Sequence, residues 1–223
     1  MKKLLLSIKQ LIFANRCLGC RAEKSDSFKG ELCSECYTKL KYSGSLKEKN
    51  GLYYVWRYEG VIKKIIESYK FKNKKSAAAD LAELIAEKIE CIIEKNKIDV
   101  IIPVPISRRR ESERGYNHVA EILRAAKLDF LEIERIKKTK HMFEILKEED
   151  RISNIKDSFQ IDKSLELNGK NILVFDDIVT TGATFREIKK VIEKKFKPRK
   201  IVFFSITAAK YSLHKGVELN GIK

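Results

Sequence analysis

The chain has 223 residues, 43% of them hydrophobic, which supports one α/β domain, or one such domain with a small module, and excludes a disordered chain. Lys and Arg number 47 against 31 acids, and the net charge of +16 favours an anionic partner: nucleic acid, a phosphorylated ligand or a membrane surface. No apolar stretch reaches the ~20 residues that cross a bilayer. Many lysines sit beside glutamates in helical stretches, so charge alone does not choose among these partners.

The N-terminal MKKLLLSIKQLIF places Leu4, Ile8, Leu11 and Ile12 on one helical face. Lys9 and Gln10 cut the apolar run short and no small-residue cleavage site follows, so a short docking helix is expected rather than a signal peptide. Residues 1–50 read as a cysteine-bearing module and residues 51–223 as a second unit. Cys17-x-x-Cys20 and Cys33-x-x-Cys36 are separated by twelve residues. Two such knuckles can bring four thiolates around a zinc ion, with Gly19 easing the first turn. Disulfides are the alternative, but no secretory signal is visible and the chain reads as cytoplasmic, where thiols stay reduced. A redox pair would need only one of the two knuckles. Structural zinc is expected, with no position left open for catalysis.

Gly51–Gly60, GLYYVWRYEG, is β-prone and bounded by glycines, as in a strand or hairpin. Val61–Phe71 has helical spacing. Ser76–Glu94 is an amphipathic helix with Leu81, Leu84, Ile85, Ile89 and Ile92 on one face and Ser76 as its N-cap. Cys91 on that helix reads as a small core residue. DVIIPVPIS (99–107) is a buried strand leaving through a stiff turn, 111–127 a helix, and FLEIERI (130–136) a strand. A polar stretch, 137–168, precedes the strand NILVFDD, a helix over Ala183–Lys195 and the strand KIVFFSIT (200–207). Strands alternating with helices predict a parallel sheet with right-handed crossovers, whose ligands bind at the carboxyl ends of the strands.

ILVFDDIVTTGAT, Ile172–Thr184, lies at such an end. A glycine-containing turn that opens a helix presents backbone N–H groups and the positive end of the helix dipole. Thr180, Thr181 and Thr184 add hydroxyls, completing a cradle for a phosphate monoester. Asp176 and Asp177 repel phosphate and suit neighbouring hydroxyls or a bridging metal. Phosphate beside vicinal hydroxyls describes a ribose 5-phosphate. In PVPISRRRESERGYN (103–117) two prolines stiffen the turn and permit a non-standard peptide geometry. Ser107 and Arg108, Arg109 and Arg110 offer donors to an anion, although three adjacent arginines on a helix also describe a solvated run. Arg114 and Asn117, three apart, share a helical face. His118 has no partner visible in sequence and reads as packing or surface.

Ile172–Thr184 resembles, residue for residue, the signature of the type I phosphoribosyltransferases. The resemblance implies a site for 5-phosphoribosyl-1-pyrophosphate (PRPP) with magnesium. Asp176 and Asp177 would hold the ribose 2′- and 3′-hydroxyls, and Thr180, Thr181, Gly182, Ala183 and Thr184 the 5′-phosphate. The loop after the first core strand, with Pro105, Ser107, Arg108, Arg114 and Asn117, would bind pyrophosphate. The four-cysteine module, the Pro-Val-Pro strand end, Arg-Gly-Tyr-Asn and the Asp-Asp loop, in this order, are similar to the ComF family. That similarity runs over roughly Cys17–Thr207. It implies a type I phosphoribosyltransferase-like parallel sheet flanked by helices, with a small N-terminal zinc-ribbon module. It also implies a role in DNA uptake during natural transformation, with single-stranded DNA and a competence helicase as partners.

Arg151-x-x-Asn154 and Phe159 match a further pattern of the family, in the region where phosphoribosyltransferases carry a mobile loop. Lys137 or Lys138, then Thr139, precede Met142 where the family usually shows glutamine. Tyr37, Tyr42, Tyr53, Tyr54 and Trp56 can stack bases or fill a core; the core reading is favoured. No catalytic acid or base stands out. Two other functions therefore stay open: an orphan phosphoribosyltransferase of nucleotide or cofactor salvage, and a non-catalytic PRPP-responsive protein that binds nucleic acid.

Overall fold

The computed structural model describes residues 16–23, 30–71, 74–136 and 153–210. The expected N-terminal helix, Lys137 to Met142, and Arg151 lie outside them. Helix α1 (Ser34–Ser43) starts within the second cysteine knuckle, with Cys33 as its N-cap and Cys36 in its first turn, and a hairpin of β1 (Lys47–Lys49) and β2 (Leu52–Arg57) follows it. Helices α2 (Gly60–Phe71) and α3 (Ala77–Asn96) lead to β3 (Val100–Pro103). The segment expected as one helix over 111–127 is two, α4 (Arg108–Arg114) and α5 (His118–Ala125). Gly115, at φ 77°, ends α4 in the left-handed region, and the Asn117 side chain then caps α5 by accepting from the N–H groups of Val119 and Ala120. The strand expected over 130–136 shrinks to β4 (Glu134–Arg135), paired antiparallel with β5 (Phe159–Gln160). Then come β6 (Asn171–Val179), α6 (Ala183–Lys195) and β7 (Lys200–Ala208).

Five strands form one sheet in the order β1-β2-β7-β6-β3, parallel except for β1. The expected α/β parallel sheet flanked by helices is present. The apolar runs fit this arrangement, because a parallel strand is covered on both faces. Along β6, Leu173 and Phe175 join a core that includes Ile65 and Ile66 of α2, Leu81 and Ile85 of α3, and Ile122 of α5. Ile172 and Val174 point to the other face, with Phe185, Ile188 and Ile192 of α6 and Phe159 of β5.

The strands do not end level. Val179 of β6 is opposite Ala208 of β7, and so is Arg57 of β2. On the other side β3 stops at Pro103, opposite Phe175, and the Val104 N–H closes the ladder on the Phe175 carbonyl at 2.8 Å. Residues 176–179 therefore extend past their neighbour and leave a recess beside β6. The chain leaves the ladder after Val104, between Pro103, the last residue of β3, and Pro105, whose fixed φ stiffens the exit. All described peptide bonds are trans, so the non-standard geometry that these prolines permit is not adopted.

The cysteine knuckles pack onto the same core. Cys17, Leu32 and Leu40 share a cluster with Ile62, Ile65 and Leu81. Buried Asp80 of α3 accepts the Glu31 N–H at 2.8 Å. Ser76 does not cap α3 with its side chain; its hydroxyl donates to Glu31 instead. Cys91 is exposed, contrary to expectation, because Ile89 and Ile92 take the core-facing positions beside it. Tyr53, Tyr54 and Trp56 are buried in β2; Tyr53 and Trp56 share a core with Cys17, Cys36 and Leu40, as the core reading expected, Tyr54 packs on the other face of the sheet, and Tyr42 is 86% exposed. Among the described residues no helix is long and apolar enough to cross a membrane.

Candidate functional site

The recess is a cavity of about 550 Å³ at the carboxyl ends of the strands. Its wall includes Asp176 to Thr180, Gly182 to Thr184, Val104 to Ile106, Lys70, Arg110, Arg114, His118 and Arg135. The acidic pair sits inside β6 rather than ending it, for the strand runs on to Val179. Gly182, at φ 73°, turns the chain into α6, which starts at Ala183. Thr180, Gly182, Ala183 and Thr184 line the cavity. Thr181 does not: it is 4% exposed, its Oγ1 accepts the Ala183 N–H at 3.4 Å, and its carbonyl accepts from Arg186 at 2.9 Å. It builds the turn.

The two aspartates have different surroundings. Asp177 is 2% exposed. Lys70 reaches it from α2, with Nζ 2.9 Å from Oδ1 and 2.7 Å from Oδ2. His118 reaches it from α5, with Nε2 3.4 Å from Oδ2. Behind the imidazole, Arg114 Nη1 lies 2.8 Å from Nδ1. Guanidinium only donates, so Nδ1 accepts and the ring proton sits on Nε2, facing Asp177. Burial drives the His118 pKa down to about 4, and the ring is neutral at pH 7. Burial pushes the Asp177 carboxyl up, but Lys70 and His118 outweigh it and hold it well below the ordinary range. Because the imidazole is neutral, Lys70 supplies the charge and the hydrogen bond to Oδ1, and the His118 N–H only approaches Oδ2, which accepts no hydrogen bond of good geometry. Asp176 is half-buried, and its Oδ1 accepts the Asp177 N–H at 2.9 Å. Burial, and then the Asp177 charge beside it, raise its pKa well above the ordinary value. On the opposite wall burial, then the nearby Arg110, lower the Arg135 pKa to about 10.

The anion-loop residues are not all brought together. Pro105 and Arg114 line the cavity; Ser107, Arg108 and Asn117 do not. Ser107 is the N-cap of α4, accepting from the Arg110 N–H. The Arg108 side chain is 83% exposed, 3.9 Å from Glu134. Arg110, two residues on, faces the cavity instead. Arg114 and Asn117 share no helical face, because Gly115 breaks the helix between them. Asn154 is described but lines no part of the cavity. Lys70 and Arg135 were not singled out in the sequence, and His118 was read as packing. Lys70 lies 107 residues from its carboxylate, and no local spacing signals that. His118 could have been suspected from following Arg-Gly-Tyr-Asn directly.

The four cysteine sulfurs lie within 4.8 Å of one another, so they could hold a metal ion. Cys20 Sγ and Cys33 Sγ are 3.7 Å apart, too far for a disulfide and close to the ~3.8 Å edge of a tetrahedron with ~2.3 Å Zn–S bonds. Backbone N–H groups point at the sulfurs: Cys33 to Cys17 at 3.3 Å, Cys36 to Cys33 at 3.4 Å, Ala22 to Cys20 at 3.4 Å. Burial works against ionisation of Cys17, but N–H groups of Cys33, Cys20 and Gly19 bring its pKa down to about 7. A Cβ on Gly19 would meet Cys36 Sγ and Val61 Cγ1, each at 2.8 Å, so only glycine lets the knuckle close.

A family model described as PRTase-CE matches residues 59–219. Competence protein F of Haemophilus influenzae is 28% identical over 193 residues, covering 80% of this chain and 84% of that protein. Competence protein ComFC of Streptococcus pneumoniae is 29% identical over 148 residues, with this chain spanning 60% of its length. ComFC of Bacillus subtilis is 24% identical over 185 residues, 78% of this chain and 71% of that protein. A solved adenine phosphoribosyltransferase from Saccharomyces cerevisiae aligns over 84% of this chain and 95% of its own, at 15% identity and a TM-score of 0.39. The chain belongs to the PRTase-CE family and, as the four-cysteine module, the Arg-Gly-Tyr-Asn turn and the Asp-Asp loop together indicated, to the ComF proteins within the phosphoribosyltransferase-like fold.

Proposed function

We propose that this is a ComF-type phosphoribosyltransferase-like protein that binds PRPP with magnesium at the end of β6 and supports DNA uptake. One observation carries the ligand reading: a recess of about 550 Å³ where an acid pair and a Thr-Gly helix start share one wall, and Arg110, Arg114 and Arg135 project among the apolar side chains of the rest. The backbone N–H groups opening α6, with Thr180 and Thr184, receive the 5′-phosphate. Carboxylate at the end of β6 receives ribose hydroxyls. Arg110, Arg114 and Arg135 face the more highly charged end of the ligand. Magnesium fits the donor set, since it is commonly held by one or two carboxylates together with substrate phosphates. It would neutralise the pyrophosphate. Competence-protein relatives along most of the chain support the role in DNA uptake. The net charge of +16 suits contact with single-stranded DNA. The Cys17, Cys20, Cys33 and Cys36 cluster holds a structural zinc ion in this reading, and a helicase of the uptake machinery is the protein partner. The module of residues 1–50 and the ligand-binding unit of 51–223 keep these roles apart.

The test is calorimetric titration of PRPP with magnesium into wild type and into the Asp176→Asn, Asp177→Asn double variant. Binding of wild type in the micromolar range, about −8 kcal/mol, that the variant loses is the expected result. Equal affinity of a folded double variant would reject the site.

A further inference from the structure

The family pattern treats Asp176 and Asp177 as a pair. Their surroundings do not. A carboxylate offers about four acceptor positions. At Asp177 the Lys70 ammonium lies within 2.9 Å of both oxygens, and the His118 ring faces one of them. Oδ1 takes the hydrogen bond, and Oδ2, close to Lys70 and His118, accepts none of good geometry; burial, at 2% exposure, is what keeps the side chain from a sugar. The pleat of β6 turns it towards α2 and α5, onto the face of Leu173 and Phe175. Asp176 is half-buried on the cavity wall, and its one described hydrogen bond is to the Asp177 N–H.

We propose that Lys70 is a positioning residue of the PRPP site: by binding both oxygens of Asp177 it fixes the end of β6 and leaves Asp176 as the acid that meets the ligand. The inference rests on the PRPP reading above. The arrangement is held from behind. Tyr69, beside Lys70 on α2, donates to the His118 carbonyl at 2.8 Å, and Arg114 fixes the His118 ring. Thr207 of β7 donates to the Asp177 carbonyl at 3.0 Å, which pins the strand itself. Two adjacent carboxylates repel, and the site becomes usable for hydroxyl ligands only when a resident cation takes one of them up. Lys70 is that cation. Its side chain is 16% exposed, and its ammonium is engaged by Asp177.

A double-mutant cycle tests this by calorimetric titration of PRPP with magnesium into wild type, Lys70→Met, Asp177→Asn and the double variant. Each single change is expected to weaken binding about 30-fold, and the double variant to bind no more weakly than either single, because Lys70 acts through Asp177. Lys70→Arg, which keeps the charge, should stay within about 5-fold of wild type. The double variant buries no unpaired charge, so it stays folded even if Lys70→Met does not. Losses that multiply across the cycle would mean that Lys70 touches the ligand directly, and would overturn the proposal. So would Lys70→Arg binding as weakly as Lys70→Met. A wild type with no affinity for PRPP would reject the ligand reading itself, and this inference with it; binding with multiplicative losses rejects this inference alone.

Discussion

The cysteine cluster and the acid pair solve the same electrostatic problem in opposite ways. Both crowd groups that become anionic into a small volume. The cysteines come from two short knuckles, and their sulfurs converge within 4.8 Å, where one ion can neutralise all four. The aspartates are adjacent in one strand, and the groups that face Asp177 come from elsewhere: the neutralising Lys70 from α2 and the uncharged His118 from α5. The first site is closed by its own ligands. The second is left half open, with Asp176 facing a cavity. A closed site stabilises the fold; an open one keeps charge in hand for a ligand.

The largest expected effect breaks the closed site. Cys36→Ser leaves three thiolates and a hydroxyl. Zinc content should fall from near one per chain to well below it by elemental analysis. Because Cys17, Leu32 and Leu40 belong to the main core, the loss should reach the whole protein: on the order of 4 kcal/mol, or a Tm drop of roughly 10 °C. A variant with unchanged melting would show that the module contributes nothing to the core beneath it.

The open site answers to pH instead. His118 has a folded pKa of about 4, below its unfolded ~6.5. Between those values the unfolded chain binds the extra proton, so stability falls as pH falls, by about 1.4 kcal/mol per pH unit. Asp177 is held below the ordinary carboxylate range, so its contribution is present above about pH 4 and is lost only under more acid conditions. Asp176, raised well above the ordinary range, binds its proton more tightly in the folded state and offsets part of this fall, so the destabilising part of the slope from pH 6.5 to 5 belongs to His118. Urea unfolding of wild type should show it, and His118→Gln should lose most of it. An equally steep variant would place the titrating group elsewhere.

These two sites also mark what could be read from sequence. The cysteine knuckles and the β6 turn are local patterns: fixed spacing brings the sulfurs together, and an apolar run followed by Asp-Asp and Thr-Thr-Gly announces strand, recess and helix. The parallel sheet follows from the same apolar runs. What escaped is long-range or depends on where a helix stops. Lys70 looks like any other lysine on an amphipathic helix. Arg114 and Asn117 seemed to share a face until Gly115 took a positive φ and divided the helix. The recess arises because β3 ends four residues short of β6, and register between strands is not written in either strand alone.

A smaller effect tests how the two regions are joined. Gly30 sits at φ 71°, and a Cβ there would run into the Asp80 carboxylate, which accepts the Glu31 N–H. Gly30→Ala should cost about 2 kcal/mol through backbone strain and displacement of Asp80. The cysteines are untouched, so zinc content should hold while the melting temperature falls. If zinc is lost as well, the latch and the metal site are one cooperative unit.

The smallest expected effect concerns Arg108, which the resemblance assigned to the pyrophosphate loop. Its side chain is 83% exposed, and its nearest described carboxylate, on Glu134, is 3.9 Å away. An ion pair that open to water contributes little. Arg110, two residues further on, lines the cavity and lies near Arg135. Arg108→Ala should change stability by no more than about 0.5 kcal/mol and leave PRPP affinity within about twofold, whereas Arg110→Ala should weaken binding by at least tenfold, the loss of one charge-assisted contact. If Arg108→Ala proves the more damaging of the two, the α4 turn must rotate when ligand enters, and the arginine to follow is the one the resemblance named.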